Sequence, residues 1–234
     1  KAQLSYIEIN RDGPAIEPGS RNYKRAFLRD GCLTSASLLR MGFVDEVRQY
    51  LDWYAARVQT NGWVPPILMN DGSINKGFGW DNEYDSQGEF VFAMMEYYRF
   101  TKDRAFVEKH FDAIVQALKY LEMLRNQTLV TGYMADQPAP ERFVGILPKS
   151  ISHEGYFPPV HSHWDNLFAL KGWKDGAEAA RLLGKTDVAA WADDQYRQLR
   201  KSVRLSMDRT VEYKKIDFVP ASADYGDFDP TSTT

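Results

Sequence analysis

Hydrophobic residues recur every three or four positions in six segments of the chain, which is the pattern of amphipathic helices. The six apolar stripes run over 28–39, 44–58, 91–98, 107–121, 164–173 and 188–203. Only a few residues join the two members of each successive pair, at Met41–Gly42, Thr101–Asp103 and Gly184–Asp187. The pattern therefore predicts three helical hairpins, with tight turns at one end and long connections at the other.

Two short stretches outside these pairs alternate between apolar and polar residues, which is typical of strands. The first is Leu4–Ile9, closed by a turn at Asp12–Pro14, and the second is Val211–Val219. We therefore predict an all-α fold of helical hairpins with short β-strands near the N-terminus and the C-terminus. A length of 234 residues is enough for one sizeable core, so 1–234 is treated as a single domain.

The composition narrows the classes of partner. With 44% hydrophobic and 26% charged residues the chain resembles an ordinary globular protein, and its net charge of -3 gives no basic surface for nucleic acid. No segment reaches the ~20 consecutive apolar residues of a membrane-spanning helix, so no membrane partner is expected. Cys32 is the only cysteine, which excludes an intrachain disulfide. The sequence does not indicate the cellular compartment of the protein.

Polar and aromatic residues cluster just before the first helix of each predicted hairpin. The clusters are Arg29–Asp30, then Trp80, Asp81 and Asp85, then His153, Glu154, His161, His163 and Trp164. Because the long connections all leave the bundle at one end, the three clusters are expected to meet at one mouth. Acids, aromatics and imidazoles gathered at such a mouth favour a site for a polar ligand.

The first two clusters have a structural and a functional interpretation. Asp30 could simply cap a helix, or accept hydrogen bonds from the hydroxyls of a ligand while Arg29 donates to them. An arginine and a helix N-terminus keep such a carboxylate ionised, which suits orientation of a substrate rather than proton donation. Asp85 could likewise be a helix cap, whereas in a sugar site Trp80 would provide an apolar platform and the acids would accept hydroxyls.

The histidine-rich cluster has three interpretations. His161 and His163 could bind a metal with Glu154 or Asp165, but their spacing matches no familiar metal site, so neither a metal nor a cofactor is predicted. A Ser-His-Asp nucleophilic site would need a nucleophile elbow, which the sequence lacks. The third interpretation makes Glu154 a general acid, whose pKa is raised by the adjacent aromatic residues.

Three segments together resemble the (α/α)6 six-hairpin glycosidases, the helical toroids of glucoamylases and their relatives. They are Tyr23–Gly31, Trp80–Gly88 and Ile146–Asp165, which are similar to the segments that open the first three inner helices of that toroid. The subgroup that the chain most resembles comprises bacterial glucosidase-like proteins related to processing α-glucosidases. The resemblance extends from about Asn10 to Thr234.

The resemblance implies a glycoside hydrolase that releases a sugar, with glucose as the first candidate, from the non-reducing end by inversion. Its general acid would be Glu154. Its substrate-binding residues would be Arg29, Asp30, Trp80, Asp81, Asp85, His153, His163 and Trp164, and its partner an oligosaccharide or glycoside. Alternatives on the same toroid are a phosphorylase, an epimerase or a lyase, and a non-catalytic carbohydrate-binding protein is a further one.

The chain departs from that family in having three hairpins instead of six. It would be one half of a catalytic domain and a fragment of a longer chain, and this half alone is not expected to be active. An inverting enzyme needs a second carboxylate ~6.5–9.5 Å from the acid, and in the relatives this base lies in the missing half. Asp81 or Glu83 could replace it. Three hairpins also leave an apolar edge, which the rest of the toroid, a partner or a second copy is expected to cover.

Overall fold

The structure is a computed structural model that describes residues 2–75, 83–151 and 158–227. Seven α-helices occur in these ranges: α1 Ala2–Asn10, α2 Leu28–Arg40, α3 Val44–Ala55, α4 Ser86–Thr101, α5 Arg104–Asn126, α6 His163–Leu182 and α7 Thr186–Lys214. Two-residue strands β1 (Ala26–Phe27) and β2 (Ile67–Leu68) pair antiparallel. Short 3-10 helices occupy Arg21–Tyr23 and Pro140–Phe143. Within the described ranges, no helix combines the length and the apolar character that crossing a membrane requires.

The three predicted hairpins are confirmed as α2–α3, α4–α5 and α6–α7. The turn between α4 and α5 follows the predicted chemistry, because Asp103 accepts a hydrogen bond from the backbone N–H of Phe106, 3.0 Å away. Lys102 ends α4 in the left-handed conformation, with its N–H donating to the carbonyl of Tyr98. The tight turns therefore lie at one end of the bundle, and the long connections lie at the other.

The first helices of the hairpins, α2, α4 and α6, form an inner row with α4 in the middle. Most of the side chains of α4 are buried, because neighbours cover it on several sides. The backbones of α4 and α6 touch at Gly88 and Gly172: a Cβ at Gly88 would lie 2.1 Å from the carbonyl oxygen of Phe168. This close approach brings the N-terminal ends of α4 and α6 together.

The connection after α3 fixes the starts of two inner helices. Pro66 accepts a hydrogen bond from the backbone N–H of Leu28 at 2.8 Å, directly before β2 pairs with β1. Two residues earlier, the carbonyl of Val64 accepts a hydrogen bond from the Ser86 hydroxyl at 2.9 Å. A single short segment therefore holds the N-termini of α2 and α4 side by side, which places their first side chains at a common mouth.

The predicted strand Leu4–Ile9 is wrong, since these residues belong to α1. Leu4 and Ile7, three positions apart, pack against the core, while Tyr6 and Ile9 are exposed. Six residues contain too few apolar positions to separate a period of two from one of 3.6.

The predicted strand Val211–Val219 is also wrong. Helix α7 continues to Lys214, Lys215 ends it in the left-handed conformation, and the residues that follow form loop and turn. The described strands, β1 and β2, lie elsewhere, and their pairing joins residues about forty positions apart.

An apolar groove runs along α6, α7 and the segment after α7. It is lined by Leu167, Leu170, Val203, Met207, Val219 and their neighbours. Leu167 is 50% exposed and Val219 is 72% exposed, so apolar side chains remain uncovered along the groove. The groove lies on the last hairpin of the chain, where the sequence predicts an uncovered edge.

Candidate active site

The three inner helices meet at one carboxylate oxygen. Arg29, in the first turn of α2, donates a hydrogen bond from Nε to Oδ2 of Asp85 at 2.8 Å. Trp164, in the first turn of α6, donates from Nε1 to the same oxygen at 2.9 Å. The structure thus brings together Arg29, Asp85 and Trp164, one predicted site residue from each hairpin. Their substrate-binding role stays a prediction.

Asp85 does not act as the helix cap that one interpretation predicts. It precedes α4 in the cap position, but its side chain accepts no hydrogen bond from the backbone of that helix. The carboxylate is 1% exposed and is directed to Arg29 and Trp164 instead. Asp85 therefore pairs with Arg29 and does not cap α4. We call Arg29, Glu83, Asp85 and Glu89 the ionic cluster.

Arg29 is the cation of this cluster. Besides its bond to Asp85, it donates from Nη2 to Oε2 of Glu83 at 2.6 Å, and its side chain is 16% exposed. Burial opposes the positive charge, but the carboxylates of Asp85, Glu83 and Glu89 outweigh it and raise the pKa of Arg29. Arg29 therefore remains protonated and holds Asp85 and Glu83 in fixed positions.

Glu89 lies one helical turn after Asp85 and completes the cluster. Its Oε1 is 4.0 Å from Nε of Arg29, the carboxyl is 1% exposed, and neither oxygen has a hydrogen-bond partner. Burial first, and then the charge of Asp85, raise the pKa of Glu89 well above its ordinary value. Sequence analysis does not single out Glu89, although an acid four positions after Asp85 in an apolar helix is the signal that could identify it.

A recess opens beside this cluster. It is lined by Phe27, Leu28, Arg29, Pro66, Glu83, Asp85, Ser86 and Glu89. The lining combines a guanidinium and three carboxyl groups with an apolar wall. In this structure the space between these side chains is too narrow to hold a water molecule.

Asp30 lies next to Arg29 but not at the position expected of a cap. Phe27 precedes α2, so Asp30 falls inside the first turn of the helix, and its prediction as the N-cap is wrong. The residue is half-buried, and its charge acts on Cys32 and Tyr50 beneath it. An acid in the first turn still benefits from the helix dipole. Whether Asp30 contacts a sugar stays a prediction.

His163 lies in the protein interior and not in the lining of the recess. It is buried, neither ring nitrogen has a hydrogen-bond partner, and desolvation lowers its pKa to about 4. His161, Asp224 and Asp227 also act on its charge. The substrate-binding role of His163 stays a prediction.

His161 bridges two polar groups. Its Nδ1 is 2.9 Å from Oδ2 of Asp224, and its Nε2 is 2.8 Å from the hydroxyl of Tyr133. Asp165, the acid considered beside it, accepts a hydrogen bond from the hydroxyl of Ser150 at 2.5 Å. In the part of the chain that the structure describes, no three His, Cys, Asp or Glu residues are placed to hold a metal ion.

Four predicted site residues, Trp80, Asp81, His153 and Glu154, lie outside the described residues. Their assignments as platform, hydroxyl acceptors and general acid therefore stay predictions. The described part of the mouth contains the ionic cluster and the aromatic residues Phe27 and Trp164.

Comparison with known proteins relates this architecture to glycosidases. No protein-family model matches the chain. Trehalase 1 of Sulfolobus acidocaldarius is 28% identical over an alignment that covers 43% of this chain and 23% of the trehalase. Two solved structures, named Glycosidase E178A and Glycosidase Wild Type, superpose with TM-scores of 0.54 and 0.52 at 14% identity.

Each superposition covers 91% of this chain and 55% of the solved chain, so this chain spans about half the length of those glycosidases. It also aligns with under a quarter of the trehalase. At 14% identity the solved structures establish the fold and not the chemistry. The chain has the fold of these two solved glycosidases, which agrees with the resemblance to six-hairpin glycosidases found in its sequence, while the glucoamylase-like subgroup stays a prediction.

Proposed function

We propose that the protein is a glycoside hydrolase that binds a terminal sugar at the mouth formed by α2, α4 and α6. The observation that carries this proposal is the convergence of Arg29, Asp85 and Trp164 on one buried oxygen beside a polar recess. A carboxyl oxygen that already accepts hydrogen bonds from an arginine and an indole is placed to orient a sugar hydroxyl and not to reach the glycosidic oxygen. The cluster therefore suits recognition of a sugar, and the proton must come from another acid.

In this mechanism Glu154 protonates the glycosidic oxygen while a second carboxylate activates water on the opposite face of the sugar. We propose that this base lies outside 1–234, either in further chain or in a second copy, and that the same chain covers the apolar groove on α6 and α7. The likeness to solved glycosidases of nearly twice the length supports this arrangement. The released sugar is proposed to be glucose, in the inverted configuration.

Activity of the full-length protein on aryl glycosides and disaccharides tests the proposal. Trehalose belongs in the first panel, because one relative is named a trehalase. Glu154→Gln should reduce turnover by at least ~10²-fold while leaving the folded state intact, since general acid catalysis contributes that much. NMR of the first product would reveal the anomer. Normal turnover in Glu154→Gln would refute its assignment, and inactivity on the whole panel would refute the hydrolase.

Non-catalytic sugar binding is the alternative that the same cluster allows. It would retain Arg29 and Asp85 and would have no use for a proton donor. Binding of glucose that is lost in Asp85→Asn, with no turnover of any glycoside in the panel, would favour this alternative.

A further inference from the structure

Two backbone hydrogen bonds join the ends of the segment 151–159. The N–H of Ser150 donates to the carbonyl of Val160 at 2.8 Å, and the N–H of Val160 donates to the carbonyl of Ser150 at 2.9 Å. We call 149–150 and 160–161, on either side of the segment, its two stems. The proposed general acid belongs to the sequence between them. Whatever holds the stems therefore holds both ends of the segment that contains this acid.

Asp224, in the turn after α7, contacts both stems through its two carboxylate oxygens. Oδ1 lies 3.3 Å from Nζ of Lys149 in the first stem. Oδ2 accepts a hydrogen bond from the backbone N–H of His161 at 2.6 Å and lies 2.9 Å from Nδ1 of the same residue, in the second stem. The carboxylate is 14% exposed and the side chain of His161 is fully buried. A single side chain therefore links the beginning of the segment to its end.

The turn that carries Asp224 is attached to the chain at the start of α6 by its own backbone. The N–H of Ala223 donates to the carbonyl of His161 at 3.0 Å, and the carbonyl of Ala221 accepts from the N–H of His163 at 2.9 Å. These bonds form a short antiparallel bridge between the two strands of chain. The carboxylate of Asp224 therefore reaches the first stem from a backbone that is already fixed to the second.

The charge of Asp224 strengthens its contacts with the stems. Burial opposes ionisation, but the hydrogen bonds from His161 and the charges of His161 and Lys149 outweigh it and lower the pKa of this carboxyl. Hydrogen bonds to an ionised acceptor are roughly twice as strong as those between neutral groups. A neutral amide in place of the carboxylate would therefore weaken the contacts with both stems at once.

We propose that Asp224 is a positioning residue of the hydrolase, which holds both stems and thereby fixes the segment that contains the general acid. The inference rests on the proposed function, because that function supplies the acid and the reaction. Asp224 is assigned no contact with the substrate, so it is not a catalytic residue. Loss of its charge should displace the acid, and a displacement of about 1 Å can reduce a rate by about 10²-fold.

Kinetics of Asp224→Asn in the full-length protein, on two substrates with different leaving groups, test this inference. A disaccharide needs a proton on its leaving oxygen, whereas glucosyl fluoride releases fluoride without one. We expect kcat on the disaccharide to fall at least ~10-fold with little change in KM, and kcat on glucosyl fluoride to stay within about twofold of the wild-type value. A loss of folded enzyme would lower both rates equally. Combining the change with Glu154→Gln should cost no more than Glu154→Gln alone, because both changes affect the same proton transfer.

Asp175→Asn is the matched control. Asp175 is 1% exposed and pairs with Arg99 and Lys171, and it lies roughly 18 Å along α6 from the start of that helix. Its replacement also removes a buried carboxylate with cationic partners, so it should lower stability and leave the ratio of the two rates unchanged. Lys149→Met is a second variant that should fold normally, because Lys149 is 43% exposed. It should shift the same ratio in the same direction by a smaller factor.

Hydrogen exchange measures the stems without relying on activity. The amides of Ser150 and Val160 should exchange faster in Asp224→Asn than in the wild-type protein, and at the wild-type rate in Asp175→Asn. Unchanged exchange in Asp224→Asn, or equal losses on both substrates, would overturn the positioning role while the hydrolase stands. If the wild-type protein hydrolyses neither substrate although Asp224→Asn loosens the stems, the proposed function is wrong and Asp224 has a structural role only.

Discussion

Replacing Asp85 by Asn is the sharpest test of how the mouth is held together. Oδ2 of Asp85 accepts one bond from the charged Arg29 and one from the neutral indole of Trp164. A hydrogen bond to a charged group contributes ~1.5–3 kcal/mol, and a neutral one about 0.5–1.5 kcal/mol. In the variant, Arg29 and Trp164 can donate only to the neutral amide oxygen of the new side chain, so the charge at this position is lost. Arg29 still has the carboxylate of Glu83 as a partner.

The free energy of unfolding should therefore fall by ~2–4 kcal/mol, somewhat less than the loss for a buried pair whose cation is left alone. Urea denaturation followed by circular dichroism measures this change. Asp193→Asn is the matched control, because Asp193 pairs with Arg181 at a similar distance on the exposed surface. An exposed pair contributes less than about 1 kcal/mol. If Asp85→Asn costs no more than the control, the ionic cluster does not hold the three helices together.

Two further substitutions test the burial of His163 and the close contact between α4 and α6 at Gly88. Because the folded pKa of His163 is about 4, below its ordinary 6.5, the unfolded chain binds more protons than the folded protein between these values. The free energy of unfolding should therefore decrease by up to ~3 kcal/mol as the pH is lowered through that window. His163→Phe should flatten this part of the pH profile of unfolding free energy, and an unchanged slope would contradict the assignment. Gly88→Ala should cost at least ~2 kcal/mol in chemical denaturation, because its Cβ would meet backbone at 2.1 Å. Gly19→Ala, whose Cβ would have ordinary contacts at 3.5 Å, is its control and should be near neutral; equal effects of the two would show that α4 and α6 can separate easily.

The hairpins could be predicted from sequence because their signals are local. An apolar stripe predicts a helix from neighbouring residues alone, and so does a turn such as Thr101–Asp103. Asp103 caps α5 as its residue type indicates. The strands could not be predicted, because β1 and β2 are two residues each and exist only through pairing across a long connection. The prediction of a strand at Leu4–Ile9 is wrong because a stretch this short does not show whether a second strand is available to pair with it.

At the mouth, too, local signals could be predicted from the sequence and long-range contacts could not. Arg29, Asp85 and Trp164 could be anticipated as neighbours because each begins the first helix of a hairpin, and hairpin geometry places those ends together. Their meeting at one oxygen depends on side-chain directions and on the close contact of α4 with α6, which residue types do not encode. Side-chain direction could not be predicted at the start of α6. Trp164 contacts Asp85 of the cluster, whereas His163 beside it is buried in the interior.

Glu89 is the member of the ionic cluster that the stability of the fold explains least. A buried acid without a hydrogen bond weakens the folded protein, and an apolar residue of similar size would fill its place on α4 at lower cost. A helix whose other buried positions are mostly apolar or small could accommodate that change readily. Stabilisation of the fold therefore does not account for an acid at this position.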